Sequence, residues 1–455
     1  MPRFFFLRFF SLSLLGCALV GAAAAAEVTS ESLSSETSPV SGAVSSDSTS
    51  AEILHDVEYK KYDNEHEEHE NCSEHTEDKD KHTGHDHNEH KPDDHDSHHH
   101  HNSSPNLSLI FTGGGQLGGS QDSSHKNSLF IQEVELQFSA PITSYAQIKA
   151  TAGAHNGESP ELEEAFLHYT GGKDGPLQLR LGKMRQELGA LNSVHTHALP
   201  QADRPLLYSE FLGDDGLSTT GAELSWRLPV AWHSKATFSV SSRVGTHSHH
   251  HEDSEEEEEF AIFPNEGKQH PIFSARWENR VNLSDQTSLT LGLSHASSHI
   301  DSEHIRSSKL NGADLTLKWK PCPDSYREFT WRSEYMNAHQ VYKIHDDTDY
   351  LSKAEHEHSH HDLKDKNLNG WYTYLAYRPN KNFRFGLRYD QADSAIIEKG
   401  VTRRTSTFAE YIASEWNSLK LQYNRTSPSW QSGYNELLLQ WNVIVGPRCN
   451  HNHDH

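Results

Sequence analysis

From about residue 106 onward, apolar and polar residues alternate with a period of two, the pattern of β-strands with two different faces. The run Phe383–Asp390 places its phenylalanines, leucine and tyrosine on one face and arginine, glycine and aspartate on the other. The same alternation occurs at 134–138, 222–228, 419–423 and 437–445. These runs predict an all-β chain built from amphipathic strands.

Sixteen such segments are present, which favours a closed barrel over a sandwich. They begin near residues 107, 128, 145, 161, 177, 217, 234, 271, 287, 307, 326, 369, 382, 405, 418 and 433. An even number is the rule for single-chain bacterial barrels. The apolar faces end in aromatic residues such as Trp226, Trp319, Trp371 and Trp441, which is typical of membrane-interface girdles. The sequence therefore predicts a transmembrane antiparallel β-barrel of about 16 strands over residues 106–447.

The remaining segments predict an exported protein. Residues 1–26 have a positive start, an apolar run and a small-residue cleavage region, so they predict a signal peptide. Residues 27–105 are first Ser-rich and then His/Asp/Glu-rich, a composition we expect to be disordered. Residues 448–455 form a His-rich C-terminal tail. Together with a barrel, export predicts the outer membrane of a Gram-negative bacterium, with its lipid as the surrounding partner.

Histidine and acidic residues are concentrated in discrete inserts. The chain has 36 histidines and a net charge of −25, and residues 51–101 alone hold 13 of those histidines and 17 acidic residues against five lysines. The segment 246–270 holds most of the remaining excess acid. Because a basic footprint is missing, nucleic-acid binding is not expected.

The connections between strands also alternate in length. Short turns alternate with long inserts at 187–216, 246–270 and 342–368. Barrels of this class have short periplasmic turns and long external loops, so every long insert falls on the outside.

Imidazole is a preferred ligand of Zn²⁺, Ni²⁺ and Cu²⁺, and carboxylates add negative charge. We expect weak, exchangeable metal binding in the loops and the N-terminal tract, and no tightly bound cofactor. The alternatives are a solvated polar loop and a disordered spacer. The candidate ligands in these segments are His247, His249, His250, His251, His356, His358, His360, His361, His85, His87, His98, His99, His100 and His101.

The third external loop, 187–216, is expected to fold into the lumen, where His195, His197 and Asp203 would form a selective metal site. The alternative is a structural loop whose polar residues bond to the wall. Side chains on the polar strand faces would line the passage, including Lys149, Glu164, His168, Arg180 and Glu223.

Catalytic motifs are missing from the sequence. There is no G-x-S-x-G, no H-E-x-x-H and no phosphate-binding glycine loop, so an enzyme is not expected. The mature chain keeps three cysteines, Cys72, Cys322 and Cys449, and a Cys322–Cys449 disulfide remains open.

The segment 163–224 resembles a family of porin-like outer-membrane barrels of Gram-negative bacteria. That family is related to phosphate-selective porins and is often associated with zinc or other metal homeostasis. The resemblance implies a passive pore or a metal-linked transporter, with His195, His197 and Asp203 as its motif positions. The matching residues are Glu163-Glu164-Ala165-Phe166, Leu179-Arg180-Leu181-Gly182-Lys183, Gly189, Asn192, His195, His197, Asp203-Arg204-Pro205-Leu206, Gly213, Gly216 and Thr220-Gly221-Ala222-Glu223-Leu224.

This chain departs from a phosphate-selective pore, because its third loop has no lysine cluster and its external loops are acidic. We therefore expect a channel for uptake of divalent metal ions, chiefly zinc, which passes the ion to a periplasmic metal carrier. The alternatives are a general or anion-selective porin with pH-responsive histidine loops, and a surface metal binder that does not transport. A homotrimer is one expected assembly, although no interface is legible in the sequence.

Overall fold

The computed structural model describes residues 105–447, apart from gaps at 121–122, 124, 157–158, 173–174, 214, 243–261, 264–270, 300–304, 345–361 and 398. A 3-10 turn (Thr196–Ala198) and a helix α1 (Leu206–Leu212) lie between the fifth and sixth strands. In this part of the chain no helix has the length and apolar character needed to cross a membrane. The strands are β1 (Asn106–Gly118), β2 (Ser128–Thr143), β3 (Ala146–His155), β4 (Glu161–Tyr169), β5 (Leu177–Arg185), β6 (Ser218–Arg227), β7 (His233–Ser242), β8 (Ile272–Ser284), β9 (Thr287–His299), β10 (Ile305–Trp319), β11 (Glu328–Ile344), β12 (Asp362–Arg378), β13 (Phe383–Asp393), β14 (Val401–Ser414), β15 (Asn417–Pro428) and β16 (Tyr434–Val445).

The sixteen described strands form one closed barrel. Each strand pairs with the next, and β1 pairs with β16 in antiparallel register, from Leu109 opposite Val445 to Gly118 opposite Glu436. Closure leaves no sheet edge with unpaired backbone groups, as a membrane-spanning sheet requires. The predicted all-β antiparallel barrel and its strand number are confirmed.

The predicted strand starts agree with the structure to within a few residues, with two larger differences. β12 begins at Asp362 instead of near 369, and β14 begins at Val401 instead of near 405. About 9–11 residues of a tilted strand are enough to cross the bilayer, whereas β12 has 17. Its first residues include Lys364, Asp365 and Lys366, so the wall continues past the apolar band, where alternation gives no signal.

The outer surface of the barrel is apolar and the inner surface is polar. On β6, Leu224 and Trp226 are exposed while Glu223 and Ser225 are buried. Around the wall, large apolar side chains point outward and polar side chains point inward. A water-soluble protein has the opposite arrangement, whereas a barrel surrounded by lipid is expected to have this one. The aromatic residues on the outside include Trp226, Trp277, Trp371 and Trp441.

The buried apolar core lies inside the barrel, where the loop between β5 and β6 packs against the wall. Tyr208 and Phe211 of α1 are fully buried together with Met336 and Leu368 of the wall. The helix packs against β12 and β13. The third external loop therefore folds inward, as the sequence predicts, and its apolar side chains explain why it stays there.

Two β-bulges interrupt the alternation on the wall that faces this loop. The register of β1 with β2 shifts at Gln132, and the register of β3 with β4 shifts at Glu163. A bulge places two residues opposite one and re-aims a side chain. As a result Glu163 and Glu164, which are adjacent in the chain, both have contacts inside the barrel.

Candidate functional site

The inward loop is tied to the wall where it enters the lumen. Glu187 forms an ion pair with Lys235 of β7 at 2.8 Å, and the Gly189 amide donates to Ser294 of β9 at 2.9 Å. Gly189 has a positive φ of 65°, and a Cβ at this position would collide with Glu334. A glycine is therefore needed at this point, because only it adopts this turn freely and leaves the space.

The two ends of the loop are joined by one side chain, that of Asn192. Its Nδ2 donates to the carbonyls of Gln186 at 2.8 Å and Leu217 at 3.0 Å, and its Oδ1 accepts from the Leu217 amide at 2.8 Å. Asn192 is fully buried, so these bonds are shielded from water. The loop is thus a closed unit with a fixed position.

The side chain of Asp203 meets different strands of the wall from the side chains of the two histidines with which the sequence groups it. It pairs with Arg388 of β13 and Arg404 of β14, both at 2.8 Å, and accepts hydrogen bonds from Gln422 and Asn424 of β15. Burial alone would raise the pKa of Asp203, but the two guanidinium groups outweigh it and hold the pKa below its usual value. The structure does not bring the side chain of Asp203 to those of His195 and His197, because the buried Arg388 and the partly buried Arg404 hold it as a loop anchor.

His195 and His197 meet two carboxylates of β2 instead. Glu133 and Glu135 are two residues apart, so both face the lumen. His195 Nδ1 lies 3.1 Å from Glu135 Oε2, and His197 Nδ1 lies 3.6 Å from that oxygen and 3.7 Å from Glu133 Oε2. One ligand atom from each of the four residues lies within 4.8 Å of the others.

One buried atom in this group, Nδ1 of His197, has no hydrogen-bond partner in the described part of the chain. The side chain of His197 is 8% exposed. Buried polar atoms are normally bonded to something, and the distances from this nitrogen to Glu135 and Glu133 are too long for a good hydrogen bond. A cation between the imidazole and these carboxylates would satisfy the nitrogen.

β4 supplies two further carboxylates next to His195. Glu164 Oε2 lies 3.3 Å from His195 Nε2, and Glu163 Oε2 lies 3.6 Å from His195 Nδ1. Arg185 fixes both, since its amide donates to Glu164 and its guanidinium pairs with Glu163, each at 2.8 Å.

The acidic surroundings set the protonation of His195. Burial and the Arg185 guanidinium lower its pKa, but the carboxylates of Glu135 and Glu164 outweigh them and raise the pKa to about 9. At neutral pH the ion-free loop therefore holds His195 as a cation among carboxylates. A divalent cation that binds there displaces this proton, as metal binding to histidine generally does.

His155 extends the group toward the outside. It is the direct cross-strand partner of Glu133, and its Nε2 lies 3.3 Å from Glu163 Oε1. Glu133, His155 and Glu163 form a second group of ligand atoms within 4.8 Å of one another. Of these residues none was expected as a ligand from the sequence. The alternation of β2 could have identified Glu133 and Glu135 as inward-facing, whereas Glu163 depends on the bulge.

Arg204 holds the turn that presents the two histidines. Its guanidinium donates to the carbonyls of Leu191 at 3.2 Å and Val194 at 2.5 Å, and its Nε donates to Thr196 Oγ1 at 3.2 Å. Val194 and Thr196 flank His195 in the chain, so the motif residue Arg204 positions the loop backbone and not an ion.

The predicted pore-lining residues all lie on the inner face. Lys149, Glu164, His168 and Arg180 line a cavity of about 350 Å³ beneath the loop. Glu223 is buried and pairs with Arg180 at 2.5 Å. The cavity is mostly basic. Its cationic lining comprises Lys149, Arg180, Arg227, Lys235, Arg276, Arg280, Lys318 and Arg332, against Glu164, Glu187, Glu278 and Asp314.

The other candidate ligands lie outside the described residues. These are His247, His249, His250, His251, His356, His358, His360, His361, His85, His87, His98, His99, His100 and His101. The same holds for the predicted signal peptide, the N-terminal tract and the C-terminal tail.

Comparison with known proteins supports the fold. No family model matches the chain. An uncharacterised protein of Aquifex aeolicus (strain VF5) is 24% identical over 348 residues, which cover 72% of this chain and 70% of that protein. The high-pH structure of Pseudomonas putida OprB has a TM-score of 0.50 at 9% identity and covers 75% of this chain and 94% of that one.

Two further solved structures have lower TM-scores. The anion-selective porin from Comamonas acidovorans has a TM-score of 0.48 at 9% identity, covering 75% of this chain and 99% of that chain. The outer membrane channel DcaP of Acinetobacter baumannii has a TM-score of 0.45 at 11% identity, covering 75% and 96%.

The described chain is a closed sixteen-stranded antiparallel β-barrel with an apolar exterior, and OprB is similar to it in fold.

Proposed function

We propose that this porin-like barrel is an outer-membrane channel for uptake of divalent metal ions, chiefly Zn²⁺. The observation that carries the proposal is the group of His195, His197, Glu133 and Glu135, which faces the lumen and contains a buried imidazole nitrogen, Nδ1 of His197, without a partner in the described chain. Imidazole and carboxylate are the ligands that Zn²⁺ prefers when cysteine is missing.

The proposed path begins at the external loops, whose acidic residues raise the local concentration of cations. The ion then binds at the loop histidines and leaves toward the periplasm, where the His-rich segment 54–101 holds it for a downstream carrier. Passage requires binding that is strong enough to select the ion and weak enough to release it. Two histidines on the loop and two carboxylates on β2 of the wall, without cysteine, suit such exchange.

Conductance in a planar bilayer tests this proposal. For the purified full-length protein we expect micromolar Zn²⁺ to change the current. His195→Ala and His197→Ala should weaken that response by at least about tenfold, since changes around a metal site commonly have such effects. His339→Ala is the matched control, because His339 lies near Asp365 at 3.8 Å outside the group. An equal zinc response in all four proteins would refute a role for this site in metal passage.

Growth of a deletion strain supplies the second test. If the channel imports zinc, the strain should grow poorly and accumulate less zinc under zinc starvation. Normal growth and normal zinc content would contradict uptake.

A general or anion-selective porin is the second candidate, and the basic cavity beneath the loop favours it. Eight cationic side chains against four carboxylates would attract anions passing through this part of the lumen. Indifference of the conductance to zinc, together with anion selectivity, would favour this alternative.

A further inference from the structure

We infer that the group on the loop is one half of a two-ion site in which Glu133 is shared. The inner position comprises Glu133, Glu135, His195 and His197, and the outer position comprises Glu133, His155 and Glu163. The inner ion rests on the proposed function; the outer ion and the sharing of Glu133 go beyond it.

The register of the wall puts Glu133 between the two positions. Glu133 lies directly opposite His155 across β2 and β3, and its Oε2 is 3.7 Å from His197 Nδ1 on the other side. The bulge in β4 turns Glu163 toward the same point, where it contacts both His155 and His195. Each carboxylate has two oxygens, so Glu133 can offer one oxygen to each ion.

The separations between ligand atoms match those around a tetrahedral zinc ion. Two atoms that each lie about 2.0–2.1 Å from Zn²⁺ are roughly 3.3–3.4 Å apart. The inner distances are 3.1 Å for His195–Glu135, 3.6 Å for His197–Glu135 and 3.7 Å for His197–Glu133. The outer pair His155–Glu163 is 3.3 Å apart. Hydrogen bonding explains the distances of 3.1 Å and 3.3 Å but not the two longest.

The negative charge of the group is large enough to hold two divalent ions. Glu133, Glu135, Glu163 and Glu164 are four carboxylates in mutual reach, and Arg185 pairs with one of them and donates its amide to another. Once bound ions have displaced the histidine protons, the protein groups carry about three uncompensated negative charges, which are costly to bury. One divalent ion then leaves a net charge of about −1 and two leave about +1, so a second ion brings no large excess of charge.

The two positions differ in access, which gives them different roles. The side chain of His155 is 31% exposed, whereas that of His195 is 1% exposed. An ion can therefore enter at the outer position and pass to the inner one through the shared carboxylate of Glu133. Binding at adjacent sites also speeds release, because the second ion repels the first.

Crystals of the full-length protein grown with Zn²⁺ test the inference by anomalous diffraction at the zinc edge. We expect two peaks about 3.5–4 Å apart, the spacing of paired metal sites, on either side of the Glu133 carboxylate. A single peak, or none, would overturn the shared site. A single inner peak would leave the proposed metal path intact, so the two failures are distinguishable.

Metal content of variants provides an independent measurement in solution. Relative to the wild type, His155→Ala should lose one zinc, His197→Ala should lose one, and Glu133→Gln should lose both. His339→Ala, an exposed histidine beside Asp365, should lose none from this group. If His155→Ala and Glu133→Gln bind as much zinc as the control, the outer ion does not exist. Heat-modified migration of each variant on a gel establishes that its barrel is folded.

Discussion

Single residues of the inward loop divide between holding the loop and binding ions. Asp203 and Arg204 hold it, through ion pairs to the wall and through hydrogen bonds to the turn. His195 and His197 face carboxylates across short gaps. All four residues belong to one short stretch of sequence. Their roles in holding the loop or binding an ion are therefore distinguished by the groups that each side chain contacts.

Replacing Asp203 with asparagine should loosen the loop. Arg388 is fully buried and pairs with Asp203 and Asp390; removing one partner of a buried pair typically costs about 3–5 kcal/mol. We expect higher single-channel conductance of Asp203→Asn, with the barrel still folded because the strand ladders do not depend on this contact. Asp393→Asn, an exposed carboxylate that accepts a bond from Asn369, is the control. Unchanged conductance in Asp203→Asn would contradict the anchoring role.

At the scale of elements, the site is made by the meeting of a loop with two strands that carry bulges. Strict alternation over 161–169 would send either Glu163 or Glu164 to the lipid side, but the bulge brings both inward. Alternation over 134–138 correctly predicts the inward face of Glu135, which lies beyond the bulge at Gln132 in β2. The sequence could not indicate the bulge, because it depends on the register with β3.

Asn192 is the element-scale test of the loop as a closed unit. Its three hydrogen bonds join the strand ends on either side of the loop, and each buried group left unpaired costs about 1–3 kcal/mol. In Asn192→Ala we expect faster hydrogen exchange over 187–216 and unchanged exchange in the strands. Asn279→Ala, which removes an exposed acceptor of Trp232, should alter neither. Equal protection of the loop in both variants would argue against this role.

Across the whole molecule, the lumen is divided by charge. Carboxylates surround the loop histidines, whereas the cavity below the loop is mostly basic. The upper group suits divalent cations and the lower cavity attracts anions, so both candidate functions have a physical basis in one barrel.

Removing positive charge from the cavity should separate the two contributions. In the double variant Arg227→Gln and Lys318→Gln, we expect the reversal potential in a salt gradient to shift toward cation selectivity. The response to zinc should stay as in the wild type, since neither residue belongs to the histidine group. A loss of the zinc response would show that the cavity and the loop site act together.

The sequence by itself determined the wall. Every strand has one face toward lipid and the other toward the lumen, so period-two alternation is present along the chain. From this alternation the strand count and the lengths of the connecting loops could be predicted. It also singled out His195 and His197.

Only the tertiary structure decided which partners these histidines meet. Asp203 is six residues from His197 in the chain, yet cationic side chains of β13 and β14 hold its carboxylate away from the histidine side chains. Glu133 and His155 come from strands far away in sequence, and Glu163 depends on a bulge. The physical reason is that barrel closure and strand register determine where a loop meets the wall. Neither of them produces a periodic pattern of residues in the sequence.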